Sequence, residues 1–170
     1  IGYKLAGGEV VLANEISKSA AKSYKRNHPK TQMINSHIKE MVEEEIDLGD
    51  IDILDGSPPC VTFSVATGRK RQYEEETETE NLVLNYVELA LKIRPKICVI
   101  ENVQQFQNAP VFEDTIGSLG NGGYRVNQKV LNSVDFGVPQ KRKRLFIIGV
   151  RDDIASKVGI ETNEDILGLF

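Results

Sequence analysis

Short apolar runs alternate with helical patterns along most of this chain, and that alternation narrows the fold more than any other feature. Residues 82–93 are apolar nearly all round, which reads as a helix buried against a sheet. Pro95 ends it, and Ile97-Cys98-Val99-Ile100 follows as a short buried strand. Upstream, residues 10–13 form a candidate strand ending at Asn14-Glu15. Ser17 is a candidate N-cap for a helix towards Asn27, which His28-Pro29 would stop. Residues 32–35 read as a strand, 36–45 as a helix, and 51–54 as a strand broken by Gly56 and Ser57. Downstream, residues 110–119 read as a helix closed by Gly120, Gly122 and Gly123. Residues 126–134 and 145–150 are two strands separated by a turn at Gly137-Val138-Pro139. The expected class is α/β with a Rossmann-like sheet. No internal repeat is present and nothing marks a second domain, so residues 1–170 are expected to form one.

A chain of 170 residues with 40% hydrophobic and 27% charged residues suits a soluble globular domain with a real core. The net charge of −4 argues against non-specific nucleic-acid binding. Its distribution is uneven. Arg69-Lys70-Arg71 and Lys141-Arg142-Lys143-Arg144 are basic, whereas Glu43-Glu44-Glu45 and Glu74-Glu75-Glu76 are acidic. Taken alone, each run reads most simply as a solvated face. The two cysteines, Cys60 and Cys98, fit neither a disulfide framework nor a zinc site, so a reducing cytoplasm is the expected compartment and no metal is expected. No apolar run is long enough to span a bilayer, and no membrane association is expected.

Four places could carry chemistry. Cys60 stands after Pro58-Pro59, just past the strand at 51–54. Each proline fixes φ and removes a backbone donor, so the thiol is delivered stiffly at a carboxyl strand end, where ligands bind in open α/β sheets. A buried small hydrophobe is the competing reading. Residues 63–79 are polar and poor in periodicity, which reads as a long exposed loop. Glu101 follows the strand at 97–100 directly and should share that sheet edge, as a proton donor or as a loop-fixing carboxylate. Arg142 and Arg144 point to one face if their strand begins early, and could grip a phosphate, a carboxylate or a base oxygen; an exposed basic turn is the alternative. Glu15, at a strand end, could take ribose hydroxyls.

In this order, the segments resemble the DNA cytosine-5 methyltransferase family. Ser57-Pro58-Pro59-Cys60 with Phe63-Ser64 resembles its nucleophile motif, and Glu101-Asn102-Val103 its proton-donor motif. Gln140-Lys141-Arg142-Lys143-Arg144 is similar to its Gln-x-Arg-x-Arg motif, preceded by a family-like Asp135-Phe136-Gly137-Val138-Pro139. Asn14-Glu15 resembles the ribose-binding segment. The resemblance covers nearly the whole chain. It implies an S-adenosylmethionine-dependent methyltransferase fold, mostly parallel with an antiparallel strand near the C-terminal end. It implies Cys60 as the nucleophile, Glu101 holding or protonating ring nitrogen 3, Arg144 at the base carbonyl and Arg142 fixing the site. Cofactor contacts would come from Glu15, Ile16, Ile38, Pro59 and Leu82, and Ser64 and Arg69 would lie near DNA phosphate. The implied substrate is a flipped cytosine in double-stranded DNA. A restriction–modification or phage-type enzyme follows, with a cognate restriction endonuclease as a candidate partner. Cytosine methylation in tRNA, or a non-catalytic remnant binding DNA or a partner, are the alternatives.

The chain also departs from the family pattern. The glycine-rich cofactor loop and first strand are missing, and no target-recognition domain follows, so a partial catalytic domain is expected. Val61 stands in place of the usual Gln, and His37 in place of an Asp that meets the adenine amino group.

Overall fold

A computed structural model describes residues 2–44, 49–59 and 72–169, with the side chains of 72–81 and 167–169 left undescribed. Cys60, Val61, Ser64 and Arg69 lie outside the described residues. The chain divides into two compact units, Ile1–Ile46 and Asp47–Phe170.

The first unit is a small βαβ arrangement. A short helix α1 (Gly2–Leu5) precedes strand β1 (Leu12–Asn14), helix α2 (Lys18–Asn27), strand β2 (Gln32–Ile34) and helix α3 (Ile38–Glu43). β1 and β2 pair in parallel, Leu12 opposite Gln32 and Asn14 opposite Ile34. Ser17 caps α2 as expected, and the helix stops at His28 ahead of Pro29. β1 begins at Leu12 rather than at residue 10. There the carbonyl of Val10 accepts the Thr31 hydroxyl and that of Val11 accepts the Gln32 N–H, so side-chain and turn bonds precede the ladder.

The second unit holds a four-stranded sheet in the order β3-β4-β6-β5. β3 (Ile53–Gly56) runs parallel to β4 (Ile97–Val103). β6 (Lys143–Arg151) is antiparallel both to β4 and to β5 (Tyr124–Asn132). Three of the four strands therefore share one direction, and β6, near the C-terminal end, runs against them. Helices α4 (Gln72–Ile93), α5 (Pro110–Asn121) and α6 (Asp152–Lys157) complete the unit, with 3-10 turns at Gln104–Asn108, Ser133–Phe136 and Glu164–Leu169. Among the described residues no helix is long and apolar enough to cross a membrane.

Period-two alternation sorts the sheet into two faces. Cys98, Ile100 and Asn102 of β4 lie opposite Gly149, Ile147 and Leu145 of β6, and all six are buried. Val83, Tyr86, Val87 and Ala90 of α4 are buried with them as core. The other face carries Val99, Glu101 and Val103 with Ile148, Phe146 and Arg144, all half-buried. At one end of it, Val150 packs into a cluster with Ala155, Ile160 and Ile166, with Ile148 and Ile154 against them.

Three sequence expectations need correction. The strand expected at 51–54 is displaced to Ile53–Gly56. β4 fixes that register, and Gly56 stays in the ladder because the Tyr86 ring fills the space its side chain would need. Residues 72–79, read as loop, belong to α4. Their glutamates carry no apolar period but are good helix formers. Glu101-Asn102-Val103 lie inside β4, not after it, because the long β6 pairs through to Val103.

Gly149 faces Cys98 across the ladder, and a methyl group there would stand 2.5 Å from the Cys98 Sγ. Gly149→Ala is expected to cost about 1–3 kcal/mol by overpacking. Cys98→Ala leaves a small void and costs about 1 kcal/mol. The double variant should recover much of the loss, a coupling of about 1 kcal/mol or more in urea unfolding. Strict additivity would show that the clash is absorbed elsewhere.

Candidate active site

β3 and β4 run the same way, so the chain leaves β3 at the sheet edge where β4 ends. β6 runs the opposite way and begins there. The turn Ser57-Pro58-Pro59, Glu101-Asn102-Val103 and Arg142–Arg144 thus meet at one edge of the second unit.

Glu101 pairs with Phe146, and Val103 with Arg144. Opposite residues in an antiparallel pair share a face, so Glu101 and Arg144 are diagonal neighbours within side-chain reach. The Arg144 Nε lies 2.8 Å from the Glu101 Oε1, with the two side chains 23% and 26% exposed. The pair is dry enough to hold its geometry and open enough to meet a ligand. Arg144 Nη1 donates to the Lys143 carbonyl at 2.8 Å. Arg142 lies one residue before β6 and its side chain is exposed. Its backbone is pinned: the N–H donates to Asn132 Oδ1 at 3.1 Å, and the carbonyl accepts the Ser133 N–H at 3.1 Å. Gly137, at φ +79°, closes the 3-10 turn in this connection.

Asn102 is a residue that the sequence reading did not single out. It points to the opposite face from Glu101, is 3% exposed, and donates from Nδ2 to the Pro58 carbonyl at 3.3 Å. Its Oδ1 accepts the Val103 N–H at 2.8 Å. Asn102 therefore ties the proline turn to β4. Glu101 does not cap the 3-10 turn that follows, whose N-cap is Val103 without a side-chain bond. Loop fixing at this edge thus falls to Asn102. Alternation along the strand puts Asn102 in phase with Cys98 and Ile100, but its bond to Pro58 leaves no local sequence signal.

Cys98 is the counter-example to a reactive thiol. It is 1% exposed, its Sγ donates to the Gly149 carbonyl at 3.6 Å, and burial pushes the thiol up to about 12.

In the first unit, Glu15 Oε1 accepts the Ser17 N–H at 2.8 Å, and Oε2 has no partner among the described residues. Its neighbour Ile16 is 63% exposed. Ile38 opens α3 and is half-buried. His37 caps that helix, its Nδ1 accepting the Lys39 N–H at 3.1 Å. In the second unit, Pro59 is exposed and Leu82 half-buried. No group of His, Cys, Asp or Glu able to hold a metal occurs among the described residues.

Comparison with known proteins gives a consistent result. A family model described as C-5 cytosine-specific DNA methylase matches residues 1–166. The Type II methyltransferase M.FnuDI of Fusobacterium nucleatum is 34% identical over 157 residues, covering 91% of this chain and 44% of that protein. The orphan methyltransferase M.SPRI of Bacillus phage SPR is 34% identical over 157 residues, covering 91% of this chain and 34% of its own length. The chain thus spans less than half of these curated relatives. Among solved structures, the S. pombe Dnmt2 methyltransferase superposes with a TM-score of 0.66 at 22% identity, over 88% of this chain and 45% of that one.

Proposed function

The chain belongs to the C-5 cytosine-specific DNA methylase family, and from that premise we propose that residues 1–170 carry the catalytic core of a DNA (cytosine-5) methyltransferase of the modification type. The Glu101–Arg144 pair, held at the sheet edge from which the proline turn leads to Cys60, is the observation that carries this reading.

The first unit suits the adenosine part of S-adenosylmethionine. A carboxylate with one oxygen unengaged among the described residues can take a ribose diol, and the exposed Ile16 beside it can cover an aromatic ring. Ile38, which opens α3 in the same unit, is a further proposed contact. When bound, the cofactor supplies an electrophilic methyl group on sulfur.

Everything else falls to the chain. Carbon 5 of cytosine is too weak a nucleophile to take a methyl group unaided. In the proposed route the Cys60 thiolate bonds to ring carbon 6, and the 5,6 double bond opens. Negative charge then spreads towards ring nitrogen 3 and the carbonyl oxygen. In this step Glu101 in its protonated form gives a proton to the first, and the Arg144 guanidinium faces the second, so the charge collects where a proton and a cation meet it. Carbon 5 bonds to the methyl carbon as that carbon's bond to sulfur breaks, the bonding pair staying on the departing thioether. The carbon-5 proton then leaves to a base, ring nitrogen 3 returns its proton to Glu101, and the double bond re-forms as the Cys60 thiolate departs. Arg142, exposed beside the pair, suits a phosphate or a site-fixing contact, and Ser64 and Arg69 are proposed near DNA. A duplex cytosine must be flipped to enter such a site.

The test is transfer of labelled methyl from S-adenosylmethionine by the complete gene product. Unmethylated copied genomic DNA and unmodified tRNA are offered side by side. Label in the DNA at carbon 5 of cytosine is expected. Exclusive labelling of tRNA, or of neither, would overturn the proposal.

A further inference from the structure

We infer that Tyr86 is a positioning residue for the segment that leads to Cys60, an inference that rests on reading Cys60 as the nucleophile. Tyr86 stands on α4 and is 3% exposed. Its hydroxyl accepts the Val99 N–H at 3.2 Å and directs its proton at the carbonyls of Leu54, 2.8 Å away, and Val99, 2.9 Å away. One helix side chain is therefore bonded to the backbone of both β3 and β4. The ring adds a second restraint. A side-chain carbon at Gly56 would collide with the Tyr86 Cε2 and Cδ2, so the ring lies against bare backbone where β3 ends. Asn102 adds a third at Pro58. The backbone is thus gripped at Leu54, Gly56 and Pro58, the last being two residues before Cys60.

These grips also set the geometry between the two halves of the proposed site. Val99, to which the hydroxyl binds, is two residues before Glu101 on the same strand and the same face. Core filling alone does not call for this hydroxyl. A phenylalanine would supply the same ring, whereas a buried hydroxyl is unfavourable unless fully bonded. What the hydroxyl adds is a fixed spacing between β3 and β4 at the level where one leads to the nucleophile and the other to Glu101.

The experiment compares the complete gene product with its Tyr86→Phe and Gly56→Ala variants. The probe is duplex DNA copied with 5-fluorocytosine in place of cytosine, in the presence of S-adenosylmethionine. Fluorine at carbon 5 cannot leave as a proton does, so the protein–DNA adduct accumulates. Tyr86→Phe is expected to slow adduct formation by about tenfold to a hundredfold, as a misplacement on the order of 1 Å would. DNA affinity should stay within about twofold, at a temperature where circular dichroism shows both proteins folded. Gly56→Ala, which pushes on the ring, should show the same split between rate and affinity. An unchanged adduct rate in Tyr86→Phe overturns the inference while leaving Cys60 as nucleophile. A loss of affinity or of folding in step with the rate also overturns it, since that marks a purely structural role. If the unaltered protein forms no adduct, the nucleophile reading fails, and this inference with it.

Discussion

Cys60→Ala in the complete gene product is expected to reduce both methyl transfer and covalent capture of 5-fluorocytosine DNA to background, with DNA affinity kept within a few fold. Cys98→Ala should retain capture. Everything separating the two thiols is environmental. Cys98 is sealed in the sheet interior against Gly149, and burial drives its thiol up to about 12. At neutral pH it is a protonated core atom. Cys60 follows two prolines, and Asn102 holds the first of them to the strand that carries Glu101. Nucleophilic catalysis requires the thiol to reach the reacting carbon while charge-stabilising groups face the same ring. The sheet edge with Glu101 and Arg144 offers such groups, on the strand that Asn102 ties to the proline turn. Capture that survives in Cys60→Ala would remove the nucleophile assignment. Capture lost in Cys98→Ala with folding intact would transfer attention to the buried thiol.

Much of this arrangement was legible in the sequence because local signals and tertiary packing agree. β4, α2 and α5 announce themselves by apolar runs with proline, serine or glycine at their ends, and the structure keeps them close to those marks. Reading the strand ends placed Glu101 and the proline turn at one edge before any register was known, and the pairing of β6 with β4 brings Arg144 there. What escaped depends on partners distant in sequence. β4 runs on through Glu101 and Asn102 because β6, some 40 residues later, supplies the matching ladder. β3 shifts by two residues because its register belongs to β4 and its end belongs to Tyr86. The first turns of α4 have charge without periodicity, so only their helix-forming composition spoke for them. Asn102 and Tyr86 are polar groups whose worth lies wholly in backbone carbonyls 44 and 32 residues away. No local pattern records such a bond.

Glu101→Gln should lower the methyl-transfer rate by about 10²- to 10⁴-fold, the range for losing a positioned acid–base group. Glutamine keeps the shape and a hydrogen-bonding end but can neither carry the charge that pairs with Arg144 nor pass a proton. Arg144→Ala should also fall steeply, since it removes both the guanidinium proposed for the base carbonyl and the contact that orients Glu101 at 2.8 Å. Because the two act as a unit, the double variant should be little slower than the worse single variant. Stability should barely follow. Both side chains are about a quarter exposed, and ion pairs near the surface are worth about 0–1 kcal/mol. The comparison therefore separates two accounts of the same pair. If the pair only fastens β4 to β6, unfolding free energy and rate should decline together and modestly. If it faces a reacting base, the rate collapses while urea unfolding moves by less than about 1 kcal/mol. Rates of Glu101→Gln and Arg144→Ala that multiply in the double variant would show that the residues act separately, and that their ion pair is incidental to the chemistry.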